Sequence, residues 1–181
     1  TWSEEPLVFE CAGAQLMAVL HHGSARTGVV VVVGGPQYRT GSHRQFVLMA
    51  RQLAQQSVPV LRFDYRGMGD SDGEPRTFEA VAEDIRAAID AFMTQSPQLT
   101  GVVLWGLCDA ATACTMYAAR DERVRGLIVA NPWVHTTAGA AKAYVKRYYA
   151  QRLLQRSFWS KVAKGEFKLG DSLADFARKL V

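Results

Sequence analysis

Five consecutive valines, Val29–Val33, are followed at once by Gly34-Gly35-Pro36. β-Branched side chains pack well on a pleated strand and are stiff in a helix. A strand that is apolar at every position has both faces buried, as parallel strands covered by helices do. A sheet wetted on one face would alternate apolar and polar residues instead. The valine run therefore demands further strands beside it and helices on both sides of it.

The rest of the chain offers both. Leu7–Phe9 and Leu16–Leu20, separated by Ala12-Gly13, predict an opening antiparallel pair. Phe46, Met49, Ala50, Leu53 and Ala54 recur at helical spacing, and Val58–Phe63 reads as the next strand. Thr77 is a candidate N-cap for a helix whose apolar face is Phe78, Val81, Ala82, Ile85, Ala88, Ile89 and Phe92. Leu99–Trp105 contains a strand, Asp109–Arg120 is an alanine-rich helix, and Val124–Ala130 is a strand stopped by Asn131-Pro132. This β-α-β-α-β-α-β alternation predicts an α/β fold with a mostly parallel, doubly wound sheet. Ligands of such sheets bind beyond the carboxyl ends of the strands. Gly34–Gly41, Asp64–Gly73, Gly106–Ala111 and Asn131–His135 all fall at such ends.

Charge divides the chain. Residues 1–141 hold eleven arginines, no lysine and fourteen acids, a net of −3. Residues 142–181 hold ten basic residues and three acids (Glu166, Asp171 and Asp175), a net of +7. The expected organisation is a core over residues 1–137 and a basic helical cap over 138–181. The basic stretch is either a solvated helical face or a surface for an anionic polymer, and it carries no nucleic-acid motif. Hydrophobic residues make up 49% of the 181, enough for a buried core. The valine run is far short of the ~20 apolar residues of a membrane span, and no signal peptide is expected. Cys11, Cys108 and Cys114 are odd in number and fit no disulfide framework, which suggests a reducing, cytoplasmic setting. No metal-ligand spacing, phosphate loop or dinucleotide motif occurs, so no cofactor is expected.

The chemistry concentrates at Trp105-Gly106-Leu107-Cys108-Asp109-Ala110-Ala111. It follows a strand and opens a helix, the context of a nucleophile elbow, Gly-x-nucleophile-x-Gly. Cys108 takes the nucleophile position, and Ala110 replaces the second glycine. A helix N-terminus favours a thiolate there. The plain alternative is a small buried cysteine in a strand–helix turn. Gly34-Gly35-Pro36-Gln37 lies where such folds place an oxyanion donor, so the backbone N–H of Gly35 or Gln37, with that of Asp109, could stabilise an acyl oxyanion.

Phe63-Asp64-Tyr65-Arg66-Gly67-Met68-Gly69-Asp70-Ser71 follows the next strand. Asp-x-Arg-Gly-x-Gly-x-Ser in that place resembles the α/β-hydrolase superfamily, in which it is a structural loop; Asp64 and Arg66 are therefore expected to be scaffold. Gly34–Phe46, Trp105–Ala111 and Asn131–Val134 further resemble the exosortase A system-associated hydrolase type 1 family, a bacterial family that accompanies exopolysaccharide and protein-sorting loci. The resemblance implies an α/β-hydrolase with cysteine in the serine position. From the elbow context, the expected reaction is hydrolysis or transfer of a small ester, thioester or related acyl substrate through Cys108.

That superfamily's order is nucleophile, acid, histidine. The histidines here are His21, His22, His43 and His135, and none follows a further strand. Asn131 stands where some members carry the acid. Asp171 and Asp175 lie in a polar helical stretch and read as solvated. The family geometry leads us to expect C-terminal strands, with the acid and histidine, outside this chain. His43, on the loop after the valine strand, is the other candidate base. A third possibility is a non-catalytic binding or scaffold module on the same fold.

Overall fold

The computed structural model describes residues 3–35 and 37–133. The expected basic cap, 138–181, and His135, Asp171 and Asp175 lie outside the described residues.

Strands β1 (Glu4–Cys11) and β2 (Ala14–His21) form the antiparallel hairpin. Its two-residue turn, Ala12-Gly13, has φ of 49° and 81°. Positive φ at both central positions is what a tight hairpin turn requires. Then follow β3 (Thr27–Val32), α1 (Gln45–Gln55), β4 (Val60–Phe63), α2 (Ala82–Gln95), β5 (Gly101–Leu107), α3 (Asp109–Ala118) and β6 (Val124–Ala130). The six strands lie in the order β1-β2-β4-β3-β5-β6. β2 meets β4 antiparallel, and β3, β4, β5 and β6 are mutually parallel.

The valine strand is central, paired with β4 through Val29↔Val60 and with β5 through Val29↔Val103. Val30, Val31 and Val32 are wholly buried. Each such side chain contributes about 1.5–3 kcal/mol relative to exposure. The helices close over the sheet by their apolar faces: Phe46, Ala50 and Ala54 from α1, and Ile85, Ala88, Ile89 and Phe92 from α2. The chain winds from β3 outward to β4, then returns across β3 to β5. This reversal of strand order places the ligand crevice of an α/β sheet at the carboxyl ends of β3 and β5.

One expectation changes. Thr77 does not cap α2. It precedes a short 3₁₀ turn, Phe78–Ala80, without a side-chain capping bond, and α2 starts at Ala82. The reason lies in Asp84, a polar residue on the buried face: its carboxylate holds Arg66 from the β4 loop and so fixes where the first turn sits. The first helix is also preceded by a 3₁₀ turn, Ser42–Arg44, with His43 and Arg44 at φ of 51° and 61°.

Candidate active site

β5 enters a sharp turn at Leu107 and leaves as α3 at Asp109. Cys108 forms the turn, with φ 62° and ψ −123°. A side chain is strained there, and such strain costs about 1–3 kcal/mol and persists only where the surroundings impose it. The surroundings are visible. The Cys108 N–H donates to the Ala130 carbonyl (2.9 Å), and the Cys108 carbonyl accepts from Ala111 N–H (3.1 Å) and Trp133 N–H (3.2 Å). Thr112 Oγ1 donates to the Trp133 carbonyl (2.8 Å), tying the segment after β6 to the elbow. A Cβ on Gly106 would lie 2.6 Å from the Ala110 carbonyl oxygen, so only glycine lets α3 pack this closely on β5.

Of the three cysteines, Cys108 is exposed and the other two are buried. Burial pushes the Cys114 thiol up to about 12 and raises that of Cys11. A thiol held protonated in an apolar interior is a poor nucleophile, so Cys108 is the chemically accessible sulfur.

Gly35 and Asp109 are brought together from 74 positions apart in an unforeseen way. The Gly35 N–H donates to Asp109 Oδ2 (2.9 Å), while Asp109 Oδ1 accepts from Ala110 N–H (2.9 Å). The Gln37 N–H donates to the Gly34 carbonyl (3.3 Å). Both N–H groups that the sequence nominates on this loop are therefore engaged. Among the described residues no hydrogen bond engages the Asp109 N–H. A Cβ on Gly34 would stand 2.1 Å from Asp109 Oδ1, so the loop is shaped around the carboxylate. The signal was in the sequence, an acid directly after the nucleophile beside a double glycine, but a side-chain contact across two strands has no local pattern.

His43 is exposed, and its Nδ1 is hydrogen-bonded to Ser42 Oγ (3.0 Å). No hydrogen bond among the described residues joins it to Cys108. No group of three or more metal-ligating side chains occurs among those residues.

Asp64 and Arg66 sit in buried networks. Arg66 grips Asp84 with Nε to Oδ1 (2.9 Å) and Nη2 to Oδ2 (2.8 Å), and its backbone N–H donates to Oδ1 (2.9 Å). Asp64 accepts from the Arg39 N–H (2.6 Å) and pairs with the Arg39 guanidinium. Arg39 thus anchors the loop after β3. From the other side, Arg62 Nη1 donates to the Arg39 carbonyl (2.7 Å) and Arg62 Nε to His21 Nε2 (2.9 Å). Burial, then the charge of Arg62, pushes His21 down to about 4, and burial pushes Arg62 down to about 10. Tyr65, also buried, is pushed up to about 12 by its burial and then by the charge of Asp109.

Comparison with known proteins places the fold. Residues 24–173 match the family model described as serine aminopeptidase, S33. The polyketide transferase ClaH of Penicillium crustosum is 30% identical over 116 residues, which cover 62% of this chain and 37% of that protein. The chain spans well under half the length of the curated relatives it matches. Among solved structures, the α/β-hydrolase GrgF of a Penicillium species superposes with a TM-score of 0.64 at 23% identity, over 86% of this chain and 55% of that one. The esterase Pf2001 of Pyrococcus furiosus superposes with a TM-score of 0.69 at 16% identity, over 90% and 61%.

Proposed function

The chain belongs to the serine aminopeptidase S33 family of α/β-hydrolases, and on that premise we propose that it acts on ester, thioester or related acyl substrates through a covalent Cys108 intermediate. The observation that carries this reading is an exposed thiol held at φ 62° on a strand–turn–helix elbow, where a nucleophile of this fold is presented.

In the proposed first step, the Cys108 thiol gives its proton to a base and Sγ attacks the substrate's carbonyl carbon. The C–S bond forms, and the carbonyl π pair moves onto oxygen. Backbone N–H groups of Asp109 and Gly35 would receive that oxyanion. Collapse returns the pair, breaks the bond to the leaving alkoxide or thiolate, and leaves an S-acyl cysteine; the leaving group takes up the proton. Water or another acceptor then attacks the acyl carbon and restores the thiol. The name of the polyketide transferase relatives supports an acceptor other than water. His43 is the base the described residues offer at this sheet end. The resemblance of Gly34–Phe46, Trp105–Ala111 and Asn131–Val134 to exosortase-associated hydrolases supports a bacterial exopolysaccharide setting, with the +7 stretch of residues 142–181 meeting an anionic polymer.

The rival reading is a binding or scaffold module. In its favour stands the Asp109 carboxylate on the Gly35 N–H, where a hydrolase needs an open donor. Turnover of short-chain nitrophenyl esters and acyl thioesters by Cys108→Ser and Cys108→Ala decides between them. Loss of a nucleophile costs on the order of 10⁴-fold or more, so the alanine variant falls to background and the serine variant retains a fraction. Turnover undiminished in the alanine variant removes Cys108 from the chemistry.

A further inference from the structure

We propose that Asp109 is an internal gate on the acyl site, whose carboxylate must leave the Gly35 N–H before Cys108 can be acylated. The inference rests on the cysteine-nucleophile reading above and adds to it a resting state that is closed.

The geometry is specific. An oxyanion hole needs backbone N–H groups free to meet a negative oxygen as it develops. Here the place beside Gly35 N–H already holds a negative oxygen, Asp109 Oδ2, at 2.9 Å. The loop's other nominated donor, Gln37 N–H, turns back to the Gly34 carbonyl. The bare Cα of Gly34 makes room for the second carboxylate oxygen, 2.1 Å from where a Cβ would stand. A substrate oxyanion and a carboxylate cannot share one N–H, because both would occupy the same place and like charges at hydrogen-bond separation repel. With the carboxylate in place, the Asp109 N–H is left as a single donor.

The gate is also built to move. None of the ion pairs among the described residues includes Asp109, so no cation locks it. What holds it toward the loop is one hydrogen bond. Its second bond, from Ala110 N–H to Oδ1, lies on its own helix. Rotation of the carboxylate gives up these two hydrogen bonds, with no ion pair to break, and leaves the Gly35 N–H and the Asp109 N–H as open donors. The Asp109 charge bears on buried Tyr65, which stays neutral and offers it no countercharge.

The test compares wild type with Asp109→Ser, too short to reach Gly35, and Asp109→Asn, which keeps the shape without the charge. Two rates are measured on the full-length protein: S-acetylation of Cys108 by p-nitrophenyl acetate, followed by intact mass, and alkylation of Cys108 by iodoacetamide. Acetylation passes through an oxyanion and alkylation does not. Opening the gate raises the acetylation-to-alkylation ratio about tenfold in Asp109→Ser, with Asp109→Asn between it and wild type. If both rates rise alike, the carboxylate acts on the thiol and the gate is wrong. If acetylation is unchanged, slower or undetected while alkylation persists, Asp109 is a clip that positions the loop, and the gate is again wrong. Cys108→Ala in the same assay keeps the two readings apart: an acetyl adduct that survives it defeats the nucleophile assignment itself, whatever Asp109 does.

Discussion

The loops after β4 and β5 leave the same edge of the sheet, yet they hold their polar residues in opposite ways. After β4, Arg66 and Asp64 are buried and paired with Asp84, Glu83, Arg39 and backbone. After β5, Cys108 is exposed on a strained backbone, and Asp109 is tied by two backbone N–H groups and no cation. Asp64 and Arg66, which could pass for catalysts, are buried in pairings that hold the loop. The second loop keeps a thiol exposed and carries backbone strain. The comparison suggests a rule for these two loops: the densely paired one is scaffold, and the one with an exposed, strained residue is where the chemistry is proposed.

The rule breaks first at Asp84, wholly buried under Arg66, which is 4% exposed. Hydrogen bonding to Asp84, more than any other influence, holds the Arg66 guanidinium well above its ordinary range. Asp84→Ala leaves that cation buried without its fork partner, and breaking a buried pair costs about 3–5 kcal/mol. Urea unfolding should show this loss, with the midpoint falling and the slope nearly constant. A cost below about 1 kcal/mol would show that solvent reaches Arg66 and that the β4 loop is not the lock described here.

A smaller effect comes from the network that reaches the loop after β3 through Arg62. The Arg62 Nε–H donates to His21 Nε2, so the imidazole's own proton is on Nδ1, which has no hydrogen-bond partner and lies 4.0 Å from Glu4 Oε1. A second proton would have to sit on Nε2, facing Arg62. Burial first, and then the Arg62 charge, bring the folded imidazole down to about 4 from 6.5. Between these values the unfolded chain binds more protons than the folded one, so stability falls as pH drops from about 6.5 to about 4 and this term is flat above that window. The full loss is up to about 3 kcal/mol. In His21→Gln, whose side-chain carbonyl can still accept from Arg62, denaturant midpoints measured at pH 7, 5.5 and 4.5 should lose most of that slope. An unaltered slope would assign the acid sensitivity to other groups.

These residues also show what the sequence could reveal. The valine run, the helical faces and the turn at Ala12-Gly13 encode their structure locally, through burial on both faces, period and positive φ, and the strand alternation follows from them. The elbow was legible for the same reason, since Gly106, Cys108 and Ala110 are spaced by the needs of one turn. What the sequence did not reveal depends on pairing across the sheet. Asp84 interrupts an apolar helical face, a visible anomaly, but nothing local names Arg66 as its partner. Asp109 reads as an ordinary acid in a first helical turn until Gly35 arrives from 74 positions away. The start of α2 was misplaced because Thr77 fits a local capping pattern, whereas the turn is held by Asp84 through a contact with another loop.

The smallest effect bears most directly on the strained side of the comparison. Cys108→Ala and Cys108→Gly both remove the sulfur, but only glycine adopts φ 62° without steric cost. The strain relieved is about 1–3 kcal/mol. Against it stands the greater freedom glycine has in the unfolded chain, about 0.5–1 kcal/mol. Cys108→Gly should therefore be more stable than Cys108→Ala by about 1 kcal/mol, seen as a higher thermal midpoint. Equal midpoints would mean that the hydrogen bonds from Ala111, Trp133 and Cys108 itself leave the turn unstrained. Cys108→Gly gaining on Cys108→Ala while Asp84→Ala loses would separate the two loops by sign, because relaxing a strained turn raises stability, whereas opening a structural lock lowers it.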